Sequence, residues 1–305
     1  MAHNTISIEK LQEKKLAGLE LAESFRRIGD LDRAVRVEQC GTFLEVAIMM
    51  TGDEKLTAAN FCKERLCPAC SWRRSVRIFS TTSQIMDYID RTDENHKYLF
   101  LTLTVKNCPG NQLGATIDAM SEAYNRLRSN RAWKLRVRGA MRTLEVTINH
   151  ESKTYHPHFH LILVVDKDYA KKGSKTYWTQ EEWAAVWQKS ARLSYTPSVW
   201  IEAVKGRRQG VEEVSKYMAK DADYILPDDK LGTDEIVSTL QRYMAGRRLI
   251  SYTGIMREAQ RALKLSDPEN GPLTDDIRGD VACAIKRYHW SAGARRYVKR
   301  SPADA

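Results

Sequence analysis

The sequence predicts an α+β fold, a central antiparallel sheet flanked by helices. Segments 97–107, 141–149 and 158–165 alternate apolar and polar residues with the period of a strand. Segments near 112–130 and after 179 carry apolar residues at helical spacing instead. Two strands bracketing a helix, then a hairpin, a helix and a further strand, give an antiparallel sheet with helices packed on it.

Taken in order, residues 1–35 are charged with Leu11, Leu16, Leu19 and Leu21 at helical spacing, which predicts one or two helices. Residues 40–75 hold four of the six cysteines. In 97–107, Leu99, Leu101, Leu103 and Val105 share one face, and Thr102 and Thr104 the other. The helix at 112–130 presents Ile117, Met120, Tyr124 and Leu127 as its apolar stripe. In 141–149, Leu144, Val146 and Ile148 point one way, and Thr143, Glu145 and Thr147 the other. In 158–165, Phe159, Leu161, Leu163 and Val165 face the core, so His158 and His160 lie together on the opposite face. The intervening HESKTYHP suits an antiparallel hairpin. Thr179 and Glu182 form a capping box opening a helix that buries Trp183, Val186 and Trp187. Residues 199–205 read as a further strand, 211–224 as a helix, and 286–300 as a basic, aromatic segment. The expected division is a helical segment at 1–39, a four-cysteine element at 40–78, the sheet-bearing domain at 79–255 and a basic segment at 256–305.

The chain of 305 residues is 42% hydrophobic, which excludes a disordered protein. No run approaches the roughly 18 apolar residues of a membrane span. The first twenty residues lack the apolar core of a signal peptide, so the expected location is the cytoplasm. A net charge of +10 favours a polyanionic partner.

In His156-Pro157-His158-Phe159-His160, residues two apart point the same way, close enough to share one cation. Imidazole suits divalent metals such as Mn²⁺, and an added carboxylate widens the range toward Mg²⁺. If 141–149 pairs with 158–165, Glu145 completes a two-histidine, one-carboxylate site with open positions. His156 is in the same register, so a 156/158 pair is an alternative. The pair 158/160 is preferred because Phe159, not Pro157, serves as the core-facing anchor.

In VEEVSKYMAK (211–220), Glu213 and Tyr217 stack four apart on one helix face, with Lys220 at the next turn. Tyrosine is a weak nucleophile near neutral pH, with a pKa of about 10. A metal polarising a phosphate and a nearby cation would offset that weakness. Glu213 is the candidate general base, and Tyr224, on nearly the same face, is a rival nucleophile. Cys62, Cys67 and Cys70 have the spacing of a zinc site, and Cys40, before Gly41, is the candidate fourth ligand. A closed four-thiolate site is structural. Arg73, Arg74 and Arg77 follow at once with Trp72, as a candidate DNA-contacting surface.

The segment HPHFHLILVV resembles the signature of the HUH endonucleases, and FLTLTVKN the strand preceding it in rolling-circle initiators. The cysteine cluster followed by Arg73 and Arg74, EEVSKYMAKDADY, and ISYTGIMREAQRAL are similar to segments of the type 1 Rep family of small bacterial plasmids. The resemblance covers roughly residues 40–265. It implies that His158, His160 and Glu145 bind Mg²⁺ or Mn²⁺ and that Tyr217 becomes linked to the DNA 5′ end. It further implies that Glu213 activates water to end a replication round. The implied partners are single-stranded or hairpin origin DNA and a host helicase, and the implied fold is the HUH sheet with its metal site on one face. An HUH transposase is the alternative, although such enzymes usually carry two tyrosines one turn apart, where this chain has Glu213. A non-enzymatic, zinc-dependent DNA-binding protein is the third reading.

Overall fold

A computed structural model describes residues 6–171, 176–204, 211, 221–275, 277 and 282–300. In chain order its elements begin with α1 (Ile8–Arg27), α2 (Leu31–Gln39), β1 (Phe43–Met49), β2 (Glu54–Ala59) and α3 (Pro68–Thr92). Next come β3 (Lys97–Thr104), β4 (Cys108–Pro109), α4 (Leu113–Ser129), α5 (Arg131–Lys134), β5 (Val137–Asn149) and β6 (Thr154–Val165). The rest are α6 (Gln180–Ala191), β7 (Val199–Ala203), α7 (Asp221–Tyr224), α8 (Lys230–Met244), β8 (Ile250–Gly254), α9 (Ile255–Ala262), β9 (Ala282–Ser291) and β10 (Arg296–Arg300). The fold is α+β with antiparallel sheets flanked by helices. The chain divides into one unit built from residues 1–74, 224–241 and 270–305, and a second from 75–223 and 242–269.

The first unit is built on a four-stranded sheet in the order β10-β9-β1-β2. Alternation in β1 sends Leu44 and Val46 inward, where they meet Ile6, Leu11, Leu56 and Tyr297, with Trp72 and Trp290 at the margin. Ser7 caps α1 by accepting from the Lys10 amide at 3.0 Å, and Asp30 caps α2 through Arg33. Asp234 on α8 fastens α1, accepting from Ser24 at 2.6 Å and from both Nε and Nη2 of Arg27 at 2.8 Å.

The basic segment expected at 256–305 is not one piece. Its first part forms α9 in the second unit, and 282–300 form a hairpin whose β9 pairs with β1. Alternating Ala284, Lys286, Tyr288 and Trp290 have strand character. Two of the cations are neutralised in place, Lys286 by Glu54 at 2.6 Å and Arg287 by Glu45 at 3.1 Å.

In the second unit the sheet order is β7-β3-β6-β5-β8, with β4 pairing the start of β6. β5 and β6 each begin earlier than the sequence suggests, at Val137 and Thr154, and the turn between them uses only residues 150–153, with Lys153 at φ 50°. Pro157 is tolerated in β6 because it falls in the gap between β3, which ends opposite His158, and β4, which pairs only with Thr154 and Tyr155. From His158 onward β6 is buried on both faces. On one face α4 and α6 bring Tyr124 and Trp187 against Phe159, at ring separations of 5.9 and 6.5 Å. On the other, residues of α3 lie over Met141 and Tyr252, the Thr82 hydroxyl standing 2.8 Å from that of Tyr252. The capping box of α6 forms as predicted, with Trp183 and Trp187 buried. Gly254 turns β8 directly into α9 at φ 53°; a Cβ there would lie 2.0 Å from the Arg138 carbonyl oxygen.

Candidate metal centres

Register sets the first cluster. Glu145 of β5 is opposite His158 of β6, and Thr143 opposite His160, so the three side chains emerge from one face. The Glu145 Oε2 atom lies 2.9 Å from His160 Nε2 and 3.4 Å from His158 Nε2. One donor atom from each residue falls within 4.8 Å of the others. The outer ring nitrogens are held from behind: His158 Nδ1 donates to the His156 carbonyl at 3.0 Å, and His160 Nδ1 is 3.1 Å from the Thr102 hydroxyl. With the Nδ1 atoms held from behind, both rings turn Nε2 toward the centre. Phe100 stacks on the His160 ring at 5.5 Å.

All three residues are buried. Burial raises the Glu145 pKa, but hydrogen bonds from both imidazoles and their charge outweigh it, holding the carboxyl well below the usual range. The donor set, two imidazole nitrogens and a carboxylate, fits a divalent cation of the Mn²⁺ or Mg²⁺ type. His156 is half-buried, its ring tilted beside that of His158 at 5.2 Å, outside this cluster of three. Burial, and then the charge of His158, lower its pKa. Thr102 and Phe100 were not singled out as site residues, although their place on the polar face of β3 follows from the same alternation.

The second cluster is Cys40, Cys62, Cys67 and Cys70. Cys40 Sγ lies 3.5 Å from both Cys67 and Cys70, and Cys62 Sγ lies 3.7 Å from Cys70. A zinc ion about 2.3 Å from four thiolates would separate the sulfurs by roughly 3.8 Å, so the donors fit a tetrahedral site. No disulfide joins them. The Cys62 amide donates to Cys40 Sγ and the Glu64 amide to Cys62 Sγ, each at 3.4 Å. Hydrogen bonds from the other three thiols lower the Cys62 pKa, whereas Cys67 and Cys70 are pushed up by sharing those protons in a buried site. Lys15, buried, donates to the Glu38 and Cys40 carbonyls. Burial lowers its pKa and the cysteine charges oppose that, so it stands as a counter-ion to thiolates. Gly41 at φ 67° turns the chain after Cys40, and its carbonyl accepts from the Tyr297 hydroxyl at 2.7 Å.

The arginines expected at a DNA-contacting surface are placed otherwise. Arg73 is 2% exposed, donating to the Leu273 carbonyl and to Asp275 at 2.7 Å. Arg74 is 5% exposed and donates to the Lys63 and Glu64 carbonyls. Arg74 braces the loop between Cys62 and Cys67, Arg73 holds the segment at 273–275, and both guanidinium groups are committed to protein acceptors. Tyr224, the rival nucleophile, is 1% exposed, and its hydroxyl donates to the Leu66 carbonyl at 2.5 Å. Glu213, Tyr217 and Lys220 lie outside the described residues. Among the described residues, no helix is long and apolar enough to cross a membrane.

A family model described as "Replication protein" matches residues 53–298. A protein named "Protein rep" from Streptococcus pneumoniae serotype 2 is 35% identical over 294 residues, covering 94% of this chain and 91% of its own. Another of that name, from Bacillus amyloliquefaciens, is 37% identical over 294 residues, covering 87% and 84%. A third, from Bacillus sp, is 40% identical over 245 residues, covering 73% and 78%. No solved structure matches. The matched span takes in Cys62, Cys67 and Cys70 together with Glu145, His158 and His160. With that order of motifs and that coverage, the chain belongs to the type 1 Rep family of rolling-circle replication initiators.

Proposed function

We propose that this plasmid replication initiator cuts one strand of the origin by a metal-assisted transesterification on tyrosine. The observation that carries the reading is the convergence of Glu145, His158 and His160 within 4.8 Å on one face of the sheet. These residues would hold Mg²⁺ or Mn²⁺, which when bound supplies positive charge to the scissile phosphate. In the proposed step the Tyr217 oxygen attacks phosphorus. Its bond to the DNA 3′ oxygen breaks, leaving a 5′-phosphotyrosine and a 3′ hydroxyl. The tyrosine loses a proton and the leaving oxygen gains one. Glu213 would accept a proton from water when the linkage is hydrolysed at termination, and Lys220 would offset phosphate charge.

The names of the relatives favour an initiator over a transposase. The buried Tyr224 hydroxyl, already committed to Leu66, supports Tyr217 over Tyr224 as the proposed nucleophile. Zinc at the four cysteines is assigned a structural role. A host helicase is the expected protein partner, and the cytoplasm the expected location.

The test is a covalent adduct on a denaturing gel after incubation with single-stranded origin DNA and Mn²⁺. Wild type should form it, and Tyr217→Phe should reduce it by about 10³-fold or more, the scale of losing a catalytic nucleophile. An adduct that survives in Tyr217→Phe and disappears in Tyr224→Phe would reassign the nucleophile. A protein that binds the DNA and never forms an adduct would be the non-enzymatic binder.

A further inference from the structure

Arg142 lies on β5 opposite Leu161, on the face that carries Phe159 and away from the face of Glu145, His158 and His160. Beside it, α4, β8 and α9 line a cavity of about 660 Å³. Its walls are cationic, with Arg128, Arg142, Arg248, Arg257, Arg261 and Lys264 among them. Asp267 is the one carboxylate of the lining and is paired with Arg248 at 2.9 Å.

Arg142 is the unusual member. It is 6% exposed, with its guanidinium 4.4 Å above the Phe159 ring. Its Nη2 donates to the Arg248 carbonyl at 3.1 Å, but its Nε is buried with no acceptor. Burial lowers its pKa, which measures how poorly the charge is solvated there. Glu269 contributes an opposing charge, but its oxygens accept from the Leu249 and Ile250 amides. Arg128 repeats the pattern over the Tyr124 ring at 5.6 Å, its Nε also without an acceptor. A buried cation with a vacant donor is costly unless an anion completes it.

On α9, Arg257 and Arg261 stand one turn apart as a like-charge pair, which the helix tolerates at a cost. Neither they nor Lys264 makes an ion pair among the described residues. Sites for organic ligands are mostly apolar. A wall of guanidinium groups, with their planar forks of donors, matches phosphate oxygens instead.

We propose that this cavity holds backbone phosphates of DNA, gripping a stretch of strand on the opposite face of the sheet from the metal centre. The identity of the polyanion rests on the proposed function above; the anion site itself rests on the cavity and its unsatisfied arginines.

The test titrates a fluorescein-labelled DNA duplex with the full-length protein across a sodium chloride series. Wild type is compared with a variant carrying Arg257→Ala, Arg261→Ala and Lys264→Ala, all exposed positions away from the metal cluster. The slope of log affinity against log salt should flatten by about 0.9 per lost phosphate contact, roughly 2–3 in all. Arg261→Glu alone should weaken binding more than Arg261→Ala. The variant should still nick a short single strand spanning only the cut. Failure of wild type to nick would overturn the proposed function and leave the slope comparison intact. An unchanged slope overturns DNA as the ligand. An unchanged slope together with sodium pyrophosphate raising the melting temperature of wild type but not of the variant would assign the cavity to free oligophosphates instead.

Discussion

At the scale of single residues, the candidate metal centre depends on what stands behind each imidazole. The Thr102 hydroxyl touches His160 Nδ1, and the His156 carbonyl fixes His158. Removing such a support usually costs about 10–100-fold in metal affinity. Thr102→Val is therefore expected to weaken Mn²⁺ binding by about that factor, read by electron paramagnetic resonance titration; wild-type affinity would show that Thr102 does not orient the ring. His160→Ala and Glu145→Gln should lose more, and with them nicking, while DNA affinity persists. Loss of folding in those variants would assign the cluster a purely structural part. The two histidines share a face by strand alternation alone, and Glu145 joins them once the hairpin pairs β5 with β6. Arg73 and Arg74 were misread because charge pattern carries no information about burial. The partners of Arg73, Leu273 and Asp275, lie some two hundred residues away.

Helices and strands came through the sequence unevenly. The capping box of α6 and the apolar stripe of α4 are local signals, and both form where expected. β5 begins at Val137 and β6 at Thr154, ahead of the clear apolar alternation, which Gly139 and Pro157 interrupt. Farther along β6 both faces are covered, so Ile162 and Val164 fill in the alternation. The attachment of α8 to α1 left no pattern to read, since one carboxylate, Asp234, makes it through Ser24 and Arg27. Burial raises the Asp234 pKa, and the bonds from Arg27 and Ser24 lower it further than burial lifts it. Its folded pKa is thus depressed, so its contribution is present above the unfolded carboxylate value, about 4. That contribution is lost as pH falls through the folded value. Asp234→Asn should cost about 1 kcal/mol at neutral pH. The gap in melting temperature from wild type should close below about pH 4, and a gap independent of pH would show that the charge is not what holds α8.

For the molecule as a whole, the cysteine cluster and the C-terminal hairpin belong to the same unit. A structural zinc site contributes on the order of 10 kcal/mol, comparable with the whole stability of a domain. Cys67→Ser is therefore expected to release zinc and melt the first unit. A zinc-free wild-type protein by elemental analysis would remove the premise. Deleting 282–300 strips β9 from β1 and Tyr297 from the core and from the Gly41 carbonyl. The product should aggregate and hold zinc poorly; a soluble, zinc-replete monomer would contradict this. Sequence reading set the final segment apart as a basic tail because a pairing such as Glu45 with Arg287, 242 residues apart, leaves no local trace.

That pairing also imposes a schedule on synthesis. When β1 leaves the ribosome, one of its edges has no partner until β9 is made, about 10–50 s later at ordinary rates of translation. Throughout that interval a nascent chain carries an open strand edge, the feature through which unfinished β-proteins stick to one another. Polysomes crowded on one message would bring many such edges together, and slower elongation late in the message would lengthen the exposure.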